Sequence, residues 1–118
     1  MQPILQGKTI LVAGSSRGLG YAVAHASAAE GANVFMGSRD VEKLAHSASQ
    51  IVKNTGSNVL YSPLDVSRYD SIKRWVDAAL QQFGRIDGLL VNAGGPPAGT
   101  LESLTDQQWQ SAYELTLL

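Results

Sequence analysis

Three glycines lie close together near the start of the chain, with the spacing Gly-x-x-x-Gly-x-Gly at Gly14, Gly18 and Gly20. A short apolar run precedes them and an alanine-rich segment follows, so the pattern predicts a turn between a buried strand and a helix. Glycines in such a turn let a phosphate approach bare backbone and let the helix pack closely on the strand. The unpaired N–H groups at the helix N-terminus attract the negative charge of a pyrophosphate.

The residues between these glycines add to the prediction. Ser15 and Ser16 provide hydroxyl donors, Arg17 provides a positive charge, and Leu19 lies between the last two glycines. We therefore expect residues 14–20 to bind the pyrophosphate of a dinucleotide. The alternative is a tight turn that binds nothing. A P-loop NTPase is disfavoured because the turn does not end in Gly-Lys-Ser/Thr.

Ser38 and Arg39 follow the second apolar run, about twenty residues after the last glycine of the turn. An arginine there can bind the 2′-phosphate of NADP through a bidentate, charge-assisted contact, whereas a site for NAD usually has an acidic residue. Asp40 comes one residue later, where it fits the N-cap of a helix. The sequence therefore predicts NADP as the cofactor, with NAD as the less favoured choice.

Short apolar runs alternate with longer segments of helical period, which is typical of βαβ units with a parallel sheet. Right-handed crossovers between such units place the strands in the order 3-2-1-4. The predicted fold class is therefore α/β, a Rossmann-type doubly wound parallel sheet. The predicted strands are 9–13, 32–37, 58–62 and 88–92. The predicted helices are 20–30, 40–54, a third that starts with the capping box 67–70 and ends at 83, and a fourth that starts at Thr105.

The fourth helix contains Trp109 and has no stop signal before the last residue, Leu118. The strand 88–92 is an apolar edge without charged residues, which is a liability in a finished sheet. We therefore expect residues 1–118 to be the N-terminal part of a single dinucleotide-binding domain, truncated after the fourth strand and the start of the following helix.

Composition limits the possible classes of function. The chain has 118 residues, of which 44% are hydrophobic, and this suits one globular domain. A net charge of −1 indicates neither nucleic acid nor an anionic membrane surface as a partner. There is no cysteine, and His25 and His46 lack ligand spacing, so no metal site is predicted. No signal peptide or membrane-spanning run is present, so we expect a cytoplasmic protein.

Two further motifs follow the third and fourth strands, Leu64-Asp65-Val66 and Asn92-Ala93-Gly94. Together with the glycine turn and the helix that contains Trp109, they make the whole chain resemble the short-chain dehydrogenases/reductases. The Gly-Gly-Pro-Pro continuation at 94–97 is similar to the 3-oxoacyl-carrier-protein reductase-like branch of that family.

This resemblance implies an NADP-dependent oxidoreductase that transfers hydride between the nicotinamide and the carbon of a carbonyl or alcohol. It implies that Asp65 bonds the adenine amino group, that Val66 helps through its main chain, and that Asn92-Ala93-Gly94 lines the ribose side of the cofactor. The implied partners are the dinucleotide, a small-molecule carbonyl substrate in the full-length form, and further copies of the chain in a dimer or tetramer. The sequence does not identify the substrate.

No catalytic residue is assigned. The serine and the Tyr-x-x-x-Lys pair of the family are expected beyond the end of the chain, and the four tyrosines are assigned to core or surface packing. Thr116 takes the place where the family usually has an asparagine. We therefore expect the chain alone to be inactive. The alternative is a non-catalytic dinucleotide-binding or regulatory module, and a flavodoxin-like domain is disfavoured by the motif at 92–94.

Overall fold

The computed structural model describes residues 4–15 and 18–91 of the chain. Within these ranges, strands and helices alternate along the sequence. The strands are β1 Thr9–Ala13, β2 Asn33–Ser38, β3 Val59–Pro63 and β4 Gly88–Val91. The helices are α1 Gly18–Ala29, α2 Val41–Thr55 and α3 Tyr69–Phe83.

The strands form one parallel sheet with the order β3-β2-β1-β4. Val12 of β1 pairs with Met36 of β2 and with Leu90 of β4. The predicted α/β class and Rossmann-type strand order are therefore confirmed. The chain leaves β1 on one side and returns to β4 on the other, so the strand order reverses at β1. Sheets of this kind bind ligands at the carboxyl ends of the strands beside such a reversal.

The two central strands are buried because helices cover both faces of the sheet. On one face, the helices α1 and α2 pack over Val12, Val34 and Met36, which are 0% exposed. On the other face, Trp75 of α3 packs against Phe35, with ring centroids 5.8 Å apart. Strands covered in this way are continuous apolar runs in sequence, which explains why their pattern predicts them well.

The predicted N-cap of α3 is wrong by one residue. The sequence assigns Ser67 as the N-cap of a capping box, but the N-cap is Arg68 and its side chain makes no capping hydrogen bond. The reason is that Asp65 competes with the start of the helix for Ser67. The Ser67 hydroxyl and N–H both donate to Oδ1 of Asp65, so the serine belongs to the turn before the helix. The helix ends are as expected, because Gly56 and Gly84 take left-handed conformations after α2 and α3.

Asp87, just before the N-terminal end of β4, forms hydrogen bonds with Thr9 of β1. Oδ2 of Asp87 accepts from the N–H of Thr9 at 2.8 Å, and the N–H of Asp87 donates to the Thr9 carbonyl at 2.8 Å. Arg85 holds the same carboxylate through two contacts of 2.6 and 2.8 Å. Across residues 4–15 and 18–91, the structure contains no helix long and apolar enough to cross a membrane.

Candidate functional site

The glycine turn (residues 14–20) leaves the carboxyl end of β1 and is fastened to the neighbouring strand β2. The N–H groups of Gly14 and Ser15 donate to the carbonyl of Gly37 at 2.7 and 3.2 Å. Gly14 has a φ of +77°, a left-handed conformation that a side chain would strain. The first glycine of the pattern is therefore required by the direction in which the chain leaves β1.

Ser15 lies inside the protein. Its side chain is 0% exposed, and its hydroxyl accepts from the N–H of Gly37 at 3.1 Å. The sequence suggests a hydroxyl donor for phosphate at this position, whereas the structure places the hydroxyl between two strands. A contribution of Ser15 to cofactor binding stays a prediction. What the structure adds is that this serine helps to fix the turn to β2.

Gly18 and Gly20, the last two glycines of the turn, differ in the space available for a side chain. A Cβ on Gly20 would overlap the carbonyl oxygen of Gly14 and would lie 3.0 Å from Cα of Ser15, so α1 packs directly on the turn. A Cβ on Gly18 would meet no atom of residues 4–15 and 18–91 within 4 Å, so none of these residues fills the space beside the helix N-terminus. Leu19 is 65% exposed on the first turn of α1. This is the arrangement in which a phosphate can reach helix N–H groups.

Asp40 and Arg39, which follow the end of β2, differ in whether they have a partner in the part of the chain that the structure describes. Oδ1 of Asp40 accepts from the N–H of Lys43 at 3.1 Å and caps α2, as predicted. The N–H of Asp40 in turn donates to the hydroxyl of Ser38 at 3.3 Å. Arg39 is exposed and has no salt-bridge partner among residues 4–15 and 18–91. The arginine is therefore available to an anion, while the aspartate is engaged by the helix.

Asp65 follows β3 and is held in an ionised state. Its Oδ1 accepts from the Ser67 hydroxyl at 2.6 Å and from the Ser67 N–H at 3.0 Å. These hydrogen bonds, and then the positive charges of Arg39 and Arg68, lower the pKa of Asp65 below its usual value. The result is a partly buried carboxylate that can accept a hydrogen bond from an amino group. Val66, the next residue, is 37% exposed.

A cleft of about 450 Å³ opens between the end of β3 and α3. We call it the arginine cleft, and the side chains that define it are Arg39, Leu64, Asp65, Ser71, Arg74 and Trp75. Leu64 and Trp75 are 3% and 2% exposed, so they give the cleft an apolar base. The structure thus brings two predicted site residues, Arg39 and Asp65, to one place. Arg74 also lines the cleft, and no sequence pattern indicates this position.

Comparison with known proteins identifies the family. The family model of the short chain dehydrogenases matches residues 8–118. The chain belongs to the short-chain dehydrogenase family. The predicted resemblance is therefore confirmed.

Three relatives of this short-chain dehydrogenase illustrate the match. The 3-oxoacyl-[acyl-carrier-protein] reductase FabG of Chlamydia muridarum is 32% identical over 117 residues, which are 99% of this chain and 47% of the relative. The structure of L-sorbose reductase from Gluconobacter frateurii, complexed with NADPH and L-sorbose, superposes with a TM-score of 0.77. It is 32% identical, and the match covers 98% of this chain and 44% of that one.

The third is an alcohol dehydrogenase from the archaeon Thermococcus sibiricus, complexed with 5-hydroxy-NADP. Its TM-score is 0.75 at 31% identity, with 93% of this chain and 50% of that one covered. The chain thus spans about half the length of the relatives it matches.

Several predicted site residues lie outside the described ranges. They are Ser16, Arg17, Asn92, Ala93 and Gly94. Their roles in this short-chain dehydrogenase therefore stay predictions, as does the effect of Thr116.

Sequence reasoning overlooked one spacing. Tyr69 and Lys73 are four residues apart, so the chain does contain a Tyr-x-x-x-Lys pair. The pair lies on the first turns of α3, after the third strand, where Tyr69 is 67% exposed. Neither side chain lines the arginine cleft. The position gives no reason to assign a catalytic role to this pair.

A second feature that the sequence did not indicate is the packing of Trp75 on Gly37. The indole Nε1 donates to the carbonyl of Met36 at 3.0 Å. A Cβ on Gly37 would lie 2.5 Å from that Nε1 and 2.9 Å from Cδ2 of Leu64. The carbonyl of Gly37 also accepts from the N–H groups of Gly14 and Ser15, and its N–H donates to the Ser15 hydroxyl. The tryptophan under the arginine cleft is therefore connected to the turn through a single glycine of β2.

Proposed function

We propose that this chain binds NADP and that the protein is an NADP-dependent oxidoreductase acting on a carbonyl or alcohol. The observation that carries the choice of NADP is the contrast at the end of β2. Asp40, the acidic residue closest to the expected ribose position, is engaged as the N-cap of α2. Arg39 has no salt-bridge partner in the described part of the chain and faces the arginine cleft. The ligands bound in the structures of two relatives, NADPH and 5-hydroxy-NADP, are consistent with this choice.

The residues of the glycine turn fit the pyrophosphate of this cofactor. The backbone of Gly14 and Ser15 is fixed to β2, no described residue fills the space beside Gly18, and Gly20 allows α1 to start directly against the turn. The first N–H groups of α1 would then bind the phosphates. We propose that Leu19 contacts the cofactor from the open side and that Ser16 and Arg17 add polar contacts.

The adenosine end would lie at the arginine cleft. Asp65 would accept a hydrogen bond from the adenine amino group, and Val66 would help through its main chain. Ser38 and Arg39 would bind the ribose and its 2′-phosphate, and a guanidinium suits a phosphate because both can form two parallel hydrogen bonds. The bound nicotinamide would supply or accept hydride. We propose that Asn92-Ala93-Gly94 lines the path between the two ends of the cofactor.

The test is a comparison of cofactor affinities. Isothermal titration of the purified chain is expected to show tighter binding of NADP⁺ than of NAD⁺. Arg39→Gln should weaken NADP⁺ binding about tenfold or more, because a charge-assisted hydrogen bond to phosphate contributes roughly 1.5–3 kcal/mol. It should leave the affinity for NAD⁺ nearly unchanged. Lys53→Gln, in the last turn of α2, is the control for loss of a distant positive charge.

Two results would contradict the proposal. One is equal affinity for NADP⁺ and NAD⁺, and the other is an unchanged affinity ratio in the Arg39→Gln variant. Catalysis is a separate proposal. We expect the 118-residue chain to have no dehydrogenase activity, and NADPH oxidation by the purified chain with any ketone would disprove this. The cytoplasmic location and the dimer or tetramer implied by the resemblance stay predictions.

A further inference from the structure

Arg68, the N-cap of α3, and Arg74, within α3, share one carboxylate. Nε of Arg68 lies 3.5 Å from Oδ1 of Asp70, and a terminal nitrogen of Arg74 lies 3.5 Å from Oδ2 of the same residue. One negative charge therefore faces two positive charges. All three side chains are more than half exposed. Exposed ion pairs of this kind contribute little to stability, so either arginine can leave Asp70 at small cost.

Only one of these two arginines reaches the arginine cleft. Arg74 lines it, one residue before the buried Trp75, whereas Arg68 does not. Arg39 lines the same cleft from the end of β2. The cleft thus receives two guanidinium groups that start from different elements of the fold.

Asp65 does not cancel these two charges. It brings one negative charge against two positive ones, and its Oδ1 already accepts two hydrogen bonds from Ser67. The cleft is therefore net positive. Its apolar base excludes water from one side, which makes the attraction for an anion stronger than it would be in open solvent.

We propose that Arg74 is a second specificity-determining residue for NADP, which leaves Asp70 and binds the 2′-phosphate together with Arg39. This inference rests on the proposed function, because it requires the adenosine end of the cofactor at the arginine cleft. A dianionic phosphate can accept from two guanidinium groups at once, and each group presents planar donors for a bidentate contact. Asp70 then has the role of a competitor, which holds Arg74 when no phosphate is bound.

The experiment uses two fragments that contain only the adenosine end, 2′,5′-ADP and 5′-AMP. Affinities of the full chain for both are measured by isothermal titration at low and at moderate ionic strength. The matched pair of variants is Arg74→Gln and Arg68→Gln. Each removes one guanidinium from Asp70, but only the first removes it from the cleft. Thermal melts of all variants show whether the fold is intact.

We expect Arg74→Gln to weaken the binding of 2′,5′-ADP about tenfold and that of 5′-AMP less than about twofold. Arg68→Gln should change both affinities by less than about twofold at moderate salt, where surface charges are screened. Asp70→Asn should tighten the binding of 2′,5′-ADP, because Arg74 no longer has a competing partner. Arg74→Lys should recover only part of the affinity, since an ammonium group cannot make the bidentate contact.

The inference and the proposed function fail in different ways. If the unmodified chain binds 2′,5′-ADP no more tightly than 5′-AMP, the preference for NADP is wrong. If that preference exists and depends on Arg39, but Arg74→Gln behaves like Arg68→Gln, the proposed function stands and the role of Arg74 is overturned. A larger loss in Arg74→Gln than in Arg68→Gln, confined to 2′,5′-ADP, supports a direct contact.

Discussion

The glycine turn and the arginine cleft hold their residues in different ways. The turn is built from backbone, and hydrogen bonds inside the protein join Gly14 and Ser15 to Gly37. The cleft is lined by side chains over a buried apolar base, and the ion pair of its Arg74 with Asp70 joins two exposed groups. Changes in the turn should therefore alter stability and cofactor binding together, whereas changes in the cleft should alter specificity with little effect on stability.

Of the substitutions considered, Gly20→Ala should cause the largest loss in the free energy of unfolding. A methyl group there would overlap the carbonyl oxygen of Gly14, and neither backbone can move without shifting α1 away from β1. We expect a loss of about 3 kcal/mol or more in the free energy of unfolding, at the upper end of what overpacking costs. Urea denaturation of the purified chain measures this loss, and titration with NADP⁺ should show that binding is lost as well.

Gly18→Ala is the control for the preceding variant. The added methyl group would meet no atom within 4 Å among the residues that the structure describes, although the φ of +67° at this position disfavours a side chain. The expected loss is about 1 kcal/mol, the cost of a left-handed conformation for an ordinary residue. Equal losses in the two variants would mean that close packing of α1 on the turn is not what requires Gly20.

Gly37→Ala should lower the free energy of unfolding less than Gly20→Ala does. It tests the packing of Trp75, under the cleft, on the glycine that is hydrogen-bonded to the turn. The new methyl group would collide with the indole of Trp75 and with Leu64, but side chains can yield more than backbone can. We expect a loss of about 2 kcal/mol, measured by urea denaturation. In a Trp75→Leu background the same substitution should cost much less, because the colliding ring is gone. The difference is the coupling free energy of a double-mutant cycle, and a value near zero would show that the contact does not constrain Gly37.

The two regions also differ in how far the sequence predicts them. Strands β1 and β2, the strand order and the glycine turn follow from local patterns, because a buried strand is apolar throughout and a tight turn needs glycine. The buried position of Ser15 depends on Gly37, which is 22 residues away in the chain. The place of Arg74 in the cleft depends on where α3 packs. Contacts of this range leave no local signal, and the capping-box pattern at Ser67 even gave a wrong helix start, because Asp65 competes for the serine.

The smallest expected change in the free energy of unfolding is the one caused by protonation of Asp65 in the cleft. Hydrogen bonds from Ser67, followed by the charges of Arg39 and Arg68, lower the pKa of Asp65 below its usual value. A carboxylate with a lowered pKa stabilises the fold when it is ionised. Its contribution is fully present above the pKa of the unfolded chain and is lost as the pH falls through the lower pKa of the folded state. The described residues of the glycine turn carry no titratable side chain, so this loss belongs to the cleft.

The corresponding measurement is the free energy of unfolding between pH 6 and pH 2.5, by urea denaturation, at intervals of roughly half a unit around the carboxylate pKa range. Asp65→Asn keeps an oxygen that can accept from Ser67 but cannot ionise, so its stability should decrease less steeply below about pH 4 than that of the unmodified chain. Asp77→Asn, on the exposed side of α3, is the control for removal of a carboxylate as such. Since Asp65 is close to solvent, the difference should be small, and it should shrink further in high salt as the arginine charges are screened. If Asp65→Asn and Asp77→Asn show the same slope, the hydrogen bonds from Ser67 do not stabilise the ionised form of Asp65.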